Sequence, residues 1–66
     1  MTLKDQPLAP LGMLLPRSGD RFADADGLRF EVVRPLDTDE VMVYFPMKRL
    51  WTRLLRTTLV RRASHD

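Results

Sequence analysis

From residue 19 onward, apolar and polar positions first alternate and then change period. In "LRFEVVR" Leu28, Phe30 and Val32 share one face and Arg29 and Glu31 the other, which predicts a half-buried strand over residues 28–34. A shorter strand is expected at residues 21–23, joined to it by the turn "DADG" ending at Gly27. "PLDTDE" makes the next turn, with Pro35 and two aspartates as turn formers. "VMVYFP" then reads as a strand with Val41, Val43 and Phe45 on one face and Met42 and Tyr44 on the other. Both of its faces are apolar, which predicts a central strand or one covered on two sides.

After Pro46 the spacing becomes helical. Met47, Leu50, Trp51, Leu54, Leu55, Thr58 and Leu59 fall on one stripe at about 100° per residue, with Arg49, Arg53 and Arg56 opposite. Pro46 suits a first helical turn, where its missing N–H costs nothing. The expectation is an amphipathic helix from Pro46 to about Val60, since Arg61 and Arg62 would land on the apolar stripe. The β-branched "TTLV" supports a rival reading, in which the helix stops near Arg56 and a last strand joins the sheet.

Residues 1–18 read as a Pro-rich extended arm, because Pro7, Pro10 and Pro16 lack a donor and bias the preceding residues toward extended geometry. The arm is too apolar for a free linker, so "GMLLP" is expected against the core as a short edge strand. Residues 19–62 form the expected single domain, and residues 63–66 a flexible tail. The predicted fold class is α+β: a small antiparallel sheet of three or four strands, covered on one face by one C-terminal amphipathic helix. Its expected core is Leu28, Phe30, Val32, Val41, Val43, Phe45, Leu50, Trp51, Leu54 and Leu55.

The run "SGDRFADADGLRFEVVRP...DEVMVYF" resembles the small SH3-like barrel proteins of bacteriophages and mobile elements. The resemblance covers residues 19–45: a glycine before the first strand, a short hairpin, then paired strands of this form. It implies a non-enzymatic accessory or regulatory protein and assigns no site residue. The Pro-rich arm and the basic helix depart from a minimal barrel, leaving an open sheet plus one helix as the alternative.

Size sharpens this picture. A chain of 66 residues is one domain at most, and a domain of that length buries only about 60% of the surface its unfolded chain exposes. The chain has no cysteine, so neither a disulfide nor a thiolate metal site can supplement the core. A partner, or a second copy in a homodimer, could supply burial instead. No run approaches the roughly 20 apolar residues of a membrane span, and no secretory pattern opens the sequence. The expected setting is cytoplasmic.

The net charge of +2 conceals an asymmetry. Residues 20–40 hold three basic and seven acidic side chains, and residues 41–66 six basic and one acidic. Such a dipole can steer an oriented partner, or be satisfied by the two halves facing each other.

Catalytic and metal signatures fail on spacing. If Gly27 took position 6 of a calcium loop, Asp24 and Asp26 would fit positions 3 and 5, but positions 1 and 12 would be Phe22 and Val33. Ser64, His65 and Asp66 have the residue types of a hydrolytic triad, yet adjacent residues at a chain end lack the geometry. His65 is the only histidine, which argues against a transition-metal site. "RRAS" has the form of a basic-directed phosphorylation site at Ser64. Nothing resembles a phosphate-cradling glycine loop. The expectation is a protein with no catalysis and no cofactor.

Binding is the remaining class. Arg49, Arg53, Arg56 and Lys48, with the aromatic Tyr44, are the candidate partner-binding residues, since Arg and Tyr are frequent interface anchors. A protein partner whose activity is modulated is the leading reading. The alternative is a nucleic-acid-binding regulator using the basic helix, with Arg61 and Arg62 extending the cationic row. A membrane surface is the weakest reading, because the stripe that would enter lipid is the one the core needs.

Overall fold

The computed structural model describes residues 7–63. These residues form six strands and one short 3-10 turn: β1 Ala9–Pro10, the 3-10 turn Leu11–Leu14, β2 Arg21–Asp24, β3 Arg29–Pro35, β4 Glu40–Phe45, β5 Leu50–Leu55 and β6 Leu59–Arg62. All pairings are antiparallel, in the spatial order β1-β6-β2-β3-β4-β5. Four strands therefore meander from β2 to β5, and β6 crosses back to pair with β2, curling the sheet into a half-barrel.

The predicted helix from Pro46 to Val60 is absent, so the fold is all-β and the α+β expectation is corrected. Two strands, β5 and β6, occupy that stretch. A turn at 46–49 reverses the chain: Lys48 N–H donates to the Phe45 carbonyl at 3.1 Å, and Arg49 N–H to Pro46 at 3.2 Å. Arg49 itself adopts a left-handed conformation at φ 49°, which no α-helix accommodates. The rival reading was right about a last strand, which is β6.

The physical reason lies in an ambiguity of spacing. "LWTRLL" satisfies a helical stripe, but it also divides by two, with Leu50, Thr52 and Leu54 on one side and Trp51, Arg53 and Leu55 on the other. Without β5, the outer backbone groups of β4 would lack a ladder partner; with it, all six residues of β4 are matched from Glu40↔Leu55 to Phe45↔Leu50.

The hairpin β2–β3 turns where "DADG" places it. Asp24 Oδ1 accepts from Asp26 N–H at 3.0 Å and Leu28 N–H at 2.9 Å, and Gly27 takes φ 88°, which glycine alone adopts without steric cost. In β3 the register shifts between Val32 and Arg34, a bulge that strengthens the local twist and helps the sheet curl.

The core fills the concave side. Leu11, Phe22, Phe30, Val32, Val41, Val43, Phe45 and Val60 form it, with Leu14, Leu28 and Leu54 packed at its margin. Phe22, Phe30 and Phe45 stack in sequence, with ring centroids 6.0 and 5.1 Å apart. Each such buried side chain contributes roughly 1.5–3 kcal/mol relative to exposure. Seven members of the expected core are buried or packed against it. Leu50, Trp51 and Leu55 are instead 44, 62 and 54% exposed, because their assignment rested on a helix packing onto the sheet.

Leu11, Phe22 and Val60 take their places. Leu11 is carried in by the N-terminal segment, whose strand is Ala9–Pro10; most of "GMLLP", expected as a strand, lies in the 3-10 turn. Leu11 N–H donates to the Thr58 carbonyl at 2.9 Å and Gly12 N–H to Arg56 at 2.8 Å, fastening this segment to the β5–β6 turn. Arg62, expected beyond the packed element, is exposed but lies on the same side of β6 as the buried Val60, opposite Phe22. Its guanidinium lies 5.6 Å from the centroid of Phe22 and donates to the Leu14 carbonyl at 3.3 Å, covering one end of the core.

Candidate docking surface

On the convex side, the register aligns side chains in transverse rows. Arg21 is opposite Glu31, Glu31 opposite Tyr44, and Tyr44 opposite Trp51. The next row runs Arg34, Met42, Arg53. Beyond it Glu40 faces Leu55. Alternation puts these side chains outside because their neighbours Phe30, Val32, Val41, Val43 and Phe45 point into the core.

Tyr44 and Trp51 are the centre of this face, with ring centroids 4.7 Å apart and planes inclined by 41°. A tilted cross-strand aromatic pair of this kind contributes about 0.5–1.5 kcal/mol beyond its burial. The contact covers one part of the Trp51 ring and leaves the rest exposed. A shallow hollow beside Tyr44 is bordered by Arg21, Arg29, Glu31 and Pro46. A second lies along Arg34, Leu36, Glu40 and Arg53.

Charges of both signs interleave here. Arg21 Nε lies 3.6 Å from Glu31 Oε1, and Arg53 Nη1 lies 3.9 Å from Glu40 Oε1. These are exposed pairs, each worth about 0–1 kcal/mol, and they leave guanidinium donors available. The basic C-terminal part and the acidic middle thus meet through β4 and β5.

The expected binding residues are not gathered in one row. Arg53 and Tyr44 share the convex face. Lys48 and Arg49 sit in the β4–β5 turn and are exposed. Arg56 lies at the other end of β5, on the order of 20 Å from Arg49 at about 3.3 Å per strand residue. It acts as a brace: its N–H donates to the Asp39 carbonyl at 2.8 Å, and its Nη2 reaches the Asp37 carbonyl at 3.5 Å. The reason for grouping Arg49, Arg53 and Arg56 was the helical face, which does not exist.

Trp51 is the residue that the helical period concealed. A period-2 reading of "YFPMKRLW" would have placed it beside Tyr44, since a four-residue turn between the strands pairs Phe45 with Leu50. Ser64, His65 and Asp66 lie outside the described residues, and with them the triad-like and phosphorylation readings. Among the described residues, no three His, Cys, Asp or Glu side chains cluster to hold a metal ion, and no helix is long and apolar enough to cross a membrane.

No protein-family model matches the chain, and neither a curated protein nor a solved structure matches it.

Proposed function

We propose that this is a small non-enzymatic binding protein that docks on a protein partner through the convex face of β3, β4 and β5 and modulates that partner. The observation carrying this reading is the Tyr44–Trp51 pair, with Trp51 62% exposed although it is the largest apolar side chain of the protein. An exposed tryptophan packed on a half-buried tyrosine and flanked by Arg53, Arg34 and Arg21 has the composition of an interface anchor. The interleaved Glu31 and Glu40 favour a partner with charges of both signs over a uniform polyanion. Support for an SH3-like barrel comes from the strand order: a four-strand meander closed by a strand that returns to the first. On this reading the protein is a phage-like or mobile-element accessory factor working in the cytoplasm.

Nucleic-acid binding is the second reading, favoured by the same ring pair, since bases stack on aromatic side chains next to arginine. Trp51 is the only tryptophan, so its fluorescence reports occupancy directly. Titration with single-stranded oligonucleotide at low salt should leave the emission unchanged. Salt-sensitive quenching would transfer the function to nucleic acid. In parallel, affinity capture with wild type and a Tyr44→Ala, Trp51→Ala double variant should differ by at least one retained protein. Identical retained sets would remove the convex face from the docking role.

A further inference from the structure

The strand order ends at β5, and among the described residues no strand pairs with its outer edge. Which backbone groups are free follows from two hydrogen bonds. Arg56 N–H donates to the Asp39 carbonyl, and Leu36 N–H to the Glu40 carbonyl. Antiparallel ladders alternate hydrogen-bonded and non-hydrogen-bonded pairs, so the bonded pairs of β4 and β5 are Val41–Leu54, Val43–Thr52 and Phe45–Leu50. Trp51 and Arg53 therefore direct both N–H and C=O away from the sheet, whereas the Leu55 carbonyl accepts from Thr58 N–H at 3.0 Å. Such an edge is a template for another strand.

The edge is apolar on both sides. Leu50 is 44% exposed on the concave side, and Trp51 and Leu55 are 62 and 54% exposed on the convex side. Edges are commonly blunted with charge, proline or a bulge, and here Arg53 is the single charged residue of the strand.

We propose that β5 is a self-recognition edge, pairing antiparallel with β5 of a second copy about a two-fold axis at Thr52. The side chains select this register. With Thr52 opposite Thr52 of the second copy, Leu50 faces Leu54 on the concave side. Trp51 faces Arg53 on the convex side, once in each direction. Threonine pairs and arginine over tryptophan are favourable cross-strand neighbours. Moving the axis to Arg53 puts two arginines directly opposite each other, and moving it to Trp51 sets Arg49 against Arg53. Both place like charges in contact, which is destabilising. The free groups also fit, since Trp51 and Arg53 would form the hydrogen-bonded pair and Thr52 the non-hydrogen-bonded one.

This pairing does not rest on the docking reading. It joins two sheets edge to edge and leaves both Tyr44–Trp51 faces on the same convex side, where one bivalent surface would result.

Two experiments on the full chain test it. Sedimentation equilibrium of wild type should give twice the 7.7 kDa chain mass. Arg53→Pro, which removes a donor pointing away from the fold, should sediment as a monomer with an unchanged β-sheet circular-dichroism spectrum. A monomeric wild type up to about millimolar concentration, or a dimer that survives in folded Arg53→Pro, overturns the proposal. The second experiment keeps it testable if Arg53→Pro does not fold. In a chain without cysteine, Thr52→Cys would bring two thiols together across a pair with Cα atoms about 4.5 Å apart, within disulfide range. Arg53→Cys would leave them on a diagonal of about 7–8 Å, beyond easy bridging. Mild oxidation should cross-link Thr52→Cys rapidly and Arg53→Cys at least tenfold more slowly. Equal rates, or faster linking through position 53, would sink the register and with it the proposal.

Discussion

Strands β4 and β5 lie side by side and are both rich in apolar residues, yet they use them differently. In "EVMVYF" every second residue is buried, Val41, Val43 and Phe45 among them. In "LWTRLL" no residue is fully buried, and Leu50, Trp51 and Leu55 remain open. The difference comes from neighbours rather than from composition. β4 has a strand on each side and shares the core with Phe30, Val32 and the incoming Leu11, whereas among the described residues β5 has a strand on one side only. At the edge of this small half-barrel only Leu54 of β5 packs against the core, and the other large apolar side chains of the strand stay exposed.

Core truncation is the largest expected break in this contrast. Phe30→Ala should lose about 3–5 kcal/mol in urea unfolding and Leu11→Ala about 2–5 kcal/mol, although Leu11 belongs to the Pro-rich segment. A loss under about 1 kcal/mol at Leu11 would mean that the segment does not close the core.

Next in size is a proline pair on adjacent residues of β5. Thr52→Pro removes the donor to Val43 and leaves a ladder carbonyl unpaired, a cost of about 1–3 kcal/mol. Arg53→Pro removes an outward donor and should cost clearly less in the monomeric fold. Matching losses at the two positions, measured by denaturant midpoint below any association, would contradict the assigned edge.

The smallest effect is expected at Trp51→Ala. Although tryptophan is the bulkiest residue, Trp51 is 62% exposed, so unfolding should lose the Tyr44 contact, about 0.5–1.5 kcal/mol, and only the smaller part of the side chain's surface that is buried. A loss comparable to that of Phe30→Ala would place Trp51 in the core and remove the exposed anchor.

Much of β2, β3 and β4 was readable because alternation there has one solution. Phe30, Val32, Val41, Val43 and Phe45 are inward in the sequence pattern and in the fold, and Asp24 to Gly27 carry turn chemistry with a local cause. The candidate surface was half legible. Tyr44 and Arg53, both candidates from the sequence, share it, whereas the helical spacing assigns Trp51 to the core. Arg49 and Arg56 were tied to Arg53 by a helical spacing that the chain does not adopt.

The sequence by itself determined the strand-forming stretches from 21 to 45, their hairpin turns, the division of charge and the absence of a thiol. Those properties depend on neighbours in the chain, through pleat, turn geometry and residue type. Only the tertiary structure decided that residues 46–62 are two strands, that Leu11 closes the core and that Trp51 stands outside it. A stripe that fits periods of both 3.6 and 2 has no local preference strong enough to choose. The choice falls to the unpaired edge of β4 and to the strand β2 waiting for β6, and these are satisfied by residues far apart in sequence.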